Sequence, residues 1–280
     1  MKKEKEIPIP SFEQTRSPNI SSWRVTAALV PGLMAGLYFI LTTDPLPQPL
    51  SYHDFADTRV LLGIPHAGDV VTNLAFVIAG ARGLWFLAQG NHGTRTFVDQ
   101  RERRLFRWFF VGVLLTGLGS GCYHLAPDND SLVWDRIPMA IGFMSIVAIM
   151  IAERVKLSLG VALLVPLMAI GTGTVIWWIW TEHAGRGDLR PYLFVQFYPM
   201  ITIALMLLLL PTPYTRGNYY WGLFVFYAAA KVVEMLDHEI FDLTQGVASG
   251  HNLKHLFAAG GAAWVLRMLS LRQPRFYPIS

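Results

Sequence analysis

The chain has 280 residues, of which 53% are hydrophobic and only 15% are Asp, Glu, Lys or Arg. Because soluble domains carry roughly 25% charged residues, this composition excludes a surface that faces mainly water. The formal net charge of +4 does not indicate a nucleic-acid-binding protein, since the basic residues lie beside apolar segments. The single cysteine, Cys122, excludes an intramolecular disulfide and a thiolate metal cluster.

The apolar residues occur in blocks of about 20, the length that a helix needs to cross ~30 Å of hydrocarbon. These blocks predict eight membrane-spanning segments, at residues 24–43, 69–89, 105–125, 134–152, 157–181, 191–210, 218–237 and 250–270. Each segment is predicted to be helical, because backbone groups in lipid have no water to bond to. The chain is therefore predicted to be an all-α membrane protein.

The spans divide the chain into four parts. Residues 1–23 are predicted to be a polar cytoplasmic tail, and residues 24–43 an N-terminal transmembrane helix. Residues 44–270 contain the remaining seven helices, and residues 271–280 form a second cytoplasmic tail. No internal repeat or soluble domain is visible between them.

The distribution of Lys and Arg predicts the orientation, because these residues are enriched in cytoplasmic loops. With the N-terminus inside, the outer segments hold only six of the 23 basic residues: Arg59, Arg136, Arg186, Arg190, Lys231 and Lys254. Both termini are therefore predicted to be cytoplasmic. The outer face would be the periplasmic side in a bacterium and the lumenal side in a eukaryote.

Three short motifs contain the candidate functional residues. Ser120 and His124 lie one helical turn apart at the end of the third span. Asp135 opens the fourth span, and His251 and His255 form an i, i+4 pair at the start of the last. Because the third span runs outward and the fourth and eighth run inward, all three motifs are predicted to lie at the outer face.

These residue types predict a zinc site. A catalytic zinc ion takes three protein ligands and keeps a fourth position open for water. We expect His124, His251 and His255 to be those ligands, since zinc lowers the pKa of bound water to about 7 and polarises a carbonyl. Asp135 would orient or deprotonate the water, and Ser120 would donate to the oxyanion. Packing alone is the alternative for Ser120, which lies among glycines.

At these residues the sequence resembles the alkaline ceramidases of the CREST superfamily of membrane hydrolases. That family carries S-x3-H near the end of one helix, an Asp shortly before a Pro-Met pair, and H-x3-H at the start of its last helix. The matching residues are Ser120 with His124, Asp135 before Pro138 and Met139, and His251 with His255. The resemblance covers about residues 52–270. It implies a seven-helix core with helix 24–43 added to it, and hydrolysis of ceramide to a sphingoid base and a fatty acid.

The resemblance also implies a calcium site in acidic residues before the first core helix. Asp54, Asp57 and Asp69 stand in the comparable place. Arg59 and His66, however, fall where the family supplies further oxygen ligands, and Ca²⁺ prefers six to eight oxygens. The sequence leaves this second metal site open.

Two other functions remain open beside a zinc-dependent ceramidase. The substrate could be another lipid amide or ester, or the chain could be a receptor-like membrane protein with structural zinc. Ser120 and Asp135 argue against the receptor, because a closed structural site needs neither residue. The expected partners are a ceramide-like lipid substrate and the lipid bilayer.

Other polar and aromatic residues receive simpler interpretations. We expect Lys231 and Glu234 to neutralise each other inside the seventh span, with orientation of His251 or His255 as the alternative role. Three tryptophans near the outer end of the fifth span are predicted to form an aromatic belt at the lipid headgroups; they are Trp177, Trp178 and Trp180.

Overall fold

The computed structural model describes residues 20–89 and 96–275. Over these residues the fold is all-helical, with two isolated β-bridges and no longer strand, which confirms the predicted class. Ten α-helices lie wholly within these two ranges: α1 (Ser22–Thr42), α2 (Ala67–Thr72), α3 (Leu74–Ala88), α4 (Gln100–Leu125), α5 (Leu132–Arg154), α6 (Leu157–His183), α7 (Arg190–Leu209), α8 (Trp221–Met235), α9 (Asp237–Leu243) and α10 (Gly250–Leu271). Residues 1–19 and 276–280 of the predicted tails lie outside the described residues.

Six stretches of helix within the described residues are long and apolar enough to cross a membrane. They are α1, α2 continued by α3, α4, α5, α6 and α7, as expected for a multi-pass membrane protein. The other two predicted spans remain predictions. Helix α8 has 15 residues, about 22 Å at 1.5 Å per residue, which is shorter than the hydrocarbon core. Helix α10 has 22 residues, but its first two turns are polar.

The core of the bundle forms around α5. Helices α3 to α6 pack each against the next in chain order, and α10 packs against α3 and α8. Every residue of α5 from 144 to 154 is buried, because α4, α6 and α7 all contact this helix. Helix α1 packs against α7 at the edge of the bundle, where only its Ala28 and Gly32 are buried.

A buried polar cluster lies at the end of the bundle opposite the histidines. Arg272, at the end of α10, forms an ion pair with Glu153 of α5, and its Nη2 lies 3.5 Å from Glu102 of α4. Tyr214 donates to Glu102 at 2.6 Å, and Tyr220 donates to Glu153 at 3.1 Å. One guanidinium therefore connects three helices and neutralises two carboxylates that have little access to water.

Candidate metal centre

The three predicted metal ligands come together at one end of the bundle. His124 lies in the last turn of α4, and His251 and His255 lie in the first two turns of α10. All three are buried, and one ligand atom of each lies within 4.8 Å of the others. The Nε2 atoms of His124 and His251 are 3.2 Å apart. Two nitrogens bound to one tetrahedral zinc ion would lie about 3.3 Å apart, so this spacing fits a shared ion.

Hydrogen bonding fixes which nitrogen of His255 is free to bind a metal. The Thr72 hydroxyl donates to the Gly68 carbonyl at 2.8 Å, so its oxygen is left to accept from His255 Nδ1 at 2.9 Å. The proton on Nδ1 leaves a lone pair on His255 Nε2, which is buried and has no hydrogen-bond partner. A buried nitrogen without a partner is unfavourable in an apo protein and suits a metal ligand.

The Asp69 carboxylate lies on the Nδ1 side of His124. Asp69 Oδ2 is 4.0 Å from His124 Nδ1, and neither atom has another partner. The other carboxylate oxygen accepts from Asn252 Nδ2 at 2.6 Å. Histidine ligands commonly direct their second nitrogen toward a carboxylate, which orients the ring and raises its basicity. Asp69 is placed for that role.

The start of α10 is fixed by two capping residues. Ser249 and Asn252 form a capping box, and Asp237 accepts from the His251 backbone nitrogen at 2.6 Å and from the Ala56 nitrogen at 3.0 Å. A Cβ on Gly250 would lie 1.9 Å from the Val233 carbonyl oxygen, so a glycine is needed where α10 meets α8. These contacts determine how far the two histidines reach into the site.

Phe55 covers the histidines from the loop before α2. Its buried ring lies 4.6 Å from the His124 ring and 4.4 Å from the His251 ring, centre to centre. An aromatic cover excludes water from the imidazoles and strengthens the electrostatic interactions around them.

A chain of charges connects α8 to the site. Lys231 lies 2.5 Å from Glu234, which confirms the predicted pair. Glu234 also lies 3.2 Å from Lys254 Nζ, which contacts His251 Nε2 at 2.7 Å. A metal ion would use that same lone pair and would displace Lys254 from it. The alternative role considered for this cluster, orientation of a histidine, remains a prediction.

Ser120 and Asp135 lie together on a cavity of about 460 Å³, which His255 also lines. The Ser120 hydroxyl interacts with the Asp135 carboxylate. The pair forms because α4 and α5 approach closely at Gly119, where a Cβ would lie 1.9 Å from the Trp134 carbonyl oxygen. The five residues predicted from the three motifs therefore occupy one region.

The residues considered for calcium do not form an oxygen cage. Asp54 is exposed, Asp69 faces His124, and both oxygens of buried Asp57 accept from Arg59, at 2.7 Å and 2.6 Å. Arg59 also donates to the carbonyls of Gly246 and Val247 after α9. A guanidinium thus occupies the carboxylate that a calcium ion would need, and it fastens the loop before α2 to the start of α10.

The variant Arg59→Gln is expected to lower the free energy of unfolding by about 2 kcal/mol. Loss of one partner of a fully buried pair costs about 3–5 kcal/mol, and the 34% exposure of Arg59 reduces this figure. Burial raises the pKa of Asp57, but hydrogen bonds and the charge of Arg59 outweigh it and hold the pKa below its usual value. The stabilisation is therefore complete above about pH 5 and decreases as the pH falls below about 4. Thermal unfolding of the wild type and of Arg59→Gln between pH 3 and pH 7 measures the difference in their stability. A difference that is the same at every pH would contradict the prediction.

One aromatic assignment was wrong. Trp177 and Trp180 are exposed on α6 and fit the predicted belt, whereas Trp178 is completely buried. Its indole nitrogen donates to Glu182 at 2.9 Å, and its ring lies 4.2 Å from the Arg136 guanidinium. Consecutive helical residues point in directions about 100° apart, so three tryptophans this close in sequence cannot all face lipid.

Sequence reasoning did not assign Phe55, Thr72 or Asn252 to the site. Thr72 carried one local signal, because it lies one turn after Asp69 and so on the same helical face. Phe55 carried none, because a loop residue reveals its partners only in the folded chain.

No protein-family model matches this chain, and no curated protein matches it. The resemblance to the alkaline ceramidases thus remains a prediction from the motif residues.

Proposed function

We propose that this chain is an integral-membrane, zinc-dependent lipid amide hydrolase, with ceramide as the first substrate to test. One arrangement supports this function above all: three buried histidines, with one ligand atom of each within 4.8 Å of the others, lie beside a cavity that Ser120 and Asp135 also line. A structural zinc site would need neither the cavity nor the pair.

His124, His251 and His255 would hold the zinc ion. The bound ion would supply Lewis acidity toward a carbonyl and lower the pKa of a water molecule. The metal-binding group has three members, the number found in catalytic zinc sites, and it leaves a coordination position for water. Thr72 would orient the His255 ring, and Asp69, whose Oδ2 lies 4.0 Å from His124 Nδ1, would orient the His124 ring.

Asp135 is the proposed general base. In amide hydrolysis a water oxygen bonds to the carbonyl carbon, the carbon–nitrogen bond breaks, and a water proton reaches the leaving nitrogen. Asp135 would accept that proton and return it to the nitrogen. The Ser120 hydroxyl has one proton, so it can donate to Asp135 or to an oxyanion but not to both at once. Ser120 would therefore orient Asp135 before the oxyanion forms and donate to the oxyanion afterwards.

The cavity suits an acyl chain. Its volume of about 460 Å³ lies within the 300–1,000 Å³ range of ligand sites, and its walls away from Asp135 are mostly apolar. Helices α7 and α8 both line it and have few contacts with each other, so a lipid could enter between them.

Mass spectrometry of fatty acid released from a defined ceramide, with and without a zinc chelator, tests the function. We expect release that stops with the chelator and returns when zinc is restored. Release from another lipid amide or ester, but not from ceramide, would keep the hydrolase and change its substrate. Stoichiometric zinc without turnover of ceramides, N-acyl amino lipids or phospholipids would favour a receptor-like protein with structural zinc.

Asp135→Asn is expected to lower kcat by about 100- to 10,000-fold, because general base catalysis contributes that much. Zinc content should not change, since Asp135 is not among the metal-binding group. Asp130→Asn is the matched control, because Asp130 is an exposed carboxylate at the same end of α5. Full activity of Asp135→Asn would remove Asp135 from the mechanism.

A further inference from the structure

We infer that Arg136 binds a carboxylate of the substrate, and that the preferred substrates are acyl amides with an anionic group beside the scissile bond, such as N-acyl amino acids. This assignment rests on the proposed hydrolase function and replaces uncharged ceramide by anionic acyl amides as the preferred substrates. It starts from a buried cation in the cavity that has no carboxylate partner.

Arg136 is 5% exposed and lines the same cavity as Ser120 and Asp135. Its Nη2 donates to the Gln48 side chain at 2.5 Å, whereas its Nη1 is buried and has no hydrogen-bond partner. Among the described residues it forms no ion pair within 4.0 Å. A buried guanidinium nitrogen without an acceptor is unfavourable unless a ligand supplies one.

Three aromatic rings stabilise the buried charge of Arg136, but they do not supply a hydrogen-bond acceptor for its Nη1. The guanidinium lies 4.2 Å from the Trp178 ring centre, 4.8 Å from that of Tyr192 and 5.5 Å from that of Tyr52. Ring faces attract a cation but do not replace an in-plane acceptor at Nη1. The rings therefore hold the guanidinium rigid, which favours recognition of a planar carboxylate.

The charge of the cavity favours an anionic ligand. Its charged lining residues are three basic and two acidic side chains: Arg136, Lys231, Lys254, Asp135 and Glu234. Both lysines pair with Glu234, and Asp135 interacts with Ser120. The surplus is one positive charge, to which a bound zinc ion would add, and Arg136 has no carboxylate within 4.0 Å among the described residues. An anionic group on the substrate would reduce this surplus.

The position of Arg136 indicates where the carboxylate lies in the substrate. Asp135 and Arg136 are adjacent residues of α5, and their charges interact. A carboxylate at Arg136 would then be close to the amide that Asp135 helps to hydrolyse. In an N-acyl amino acid a single carbon separates the amide nitrogen from the carboxylate, and the acyl chain is left to fill the apolar part of the cavity.

The test compares N-oleoylglycine with N-oleoylglycinamide, which has the same chain and scissile amide but no charge. For the full chain in detergent micelles we expect kcat/KM to be at least about tenfold higher for the acid. Arg136→Gln should lower kcat/KM for the acid by about 10- to 100-fold, which is the range of one charge-assisted hydrogen bond. It should change kcat/KM for the amide by less than about threefold. Arg136→Lys should give a kcat/KM for the acid between those of the wild type and Arg136→Gln. Arg186→Gln, which removes an exposed arginine near the same end of the bundle, should leave the ratio unchanged.

A binding measurement separates this inference from the proposed function. In the Asp135→Asn background N-oleoylglycine should raise the midpoint of thermal unfolding, and Arg136→Gln should abolish this rise.

An Arg136-dependent rise without turnover of any lipid would overturn the hydrolase and keep the carboxylate site. Ceramide turnover with equal rates for the acid and the amide would keep the hydrolase and overturn the site. An equal rise with oleate would assign Arg136 to the fatty acid product and overturn the amino acid assignment. If Arg136→Gln does not fold, the wild-type preference for acid or amide decides.

Discussion

Replacement of His255 by alanine is expected to remove bound zinc and to lower lipid hydrolysis by about 1,000-fold or more. The buried Nε2 of His255 has no partner in the protein, so a bound ion would lose one of three ligands. A catalytic metal supplies several kcal/mol of transition-state stabilisation, and each 1.36 kcal/mol corresponds to a tenfold change in rate. Elemental analysis of the purified protein and the fatty acid assay measure the two effects together.

Two further variants serve as comparisons for His255→Ala. Thr72→Val removes the oxygen that holds His255 Nδ1 but leaves the ligand itself, so we expect zinc affinity to fall by about 10- to 100-fold. His183→Ala removes a histidine that is 65% exposed and pairs with Asp130, and it should leave zinc content unchanged. If His255→Ala kept one zinc ion per chain, the site would lie elsewhere and the proposed function would fail with it.

The helical architecture was largely predictable from the sequence. A helix in lipid must be apolar over most of its length, so the first six spans are visible as apolar blocks. The last two predicted spans are not among the six apolar helices of the structure. Helix α10 begins with the polar residues that build the site, and α8 is short and contains Lys231 and Glu234. A functional site at a helix end weakens the signal by which that helix is recognised.

The histidine cluster was predictable, and the residues that orient it were not. His251 and His255 share a helical face by their spacing, and alternating span direction brings His124 to the same end. Their partners depend on pairings between distant segments, such as Asn252 with Asp69. No local pattern encodes a pairing of this kind.

Arg136 shows how a motif can hide a residue that the structure places on the cavity. It stands between Asp135 and the Pro138-Met139 pair, and the sequence offered it only as one of six basic residues on the outer side. An arginine at a membrane face is commonly solvated or in contact with headgroups. Only the structure places it on the cavity, against three aromatic rings and without a carboxylate partner.

Replacement of Arg272 by alanine is expected to destabilise the bundle more than any substitution at the site. It would leave Glu102 and Glu153 buried without a cation, and loss of one partner from a buried ionic cluster costs about 3–5 kcal/mol. The guanidinium also contacts the Phe97, Phe106 and Tyr214 rings, so packing is lost with the charge. Thermal unfolding in detergent should show a midpoint roughly 10 °C lower.

A second substitution, at Glu153, tests whether Arg272→Ala loses stability through charge or through packing. If uncompensated carboxylates are responsible, adding Glu153→Gln to Arg272→Ala should recover part of the lost stability, because one buried negative charge is then removed. Arg267→Ala is the matched control, since Arg267 is exposed on the same helix. No recovery in the double variant would assign the loss to packing against the rings. The arginine lies at the far end of α10 from the histidines, so zinc binding should survive wherever the protein remains folded.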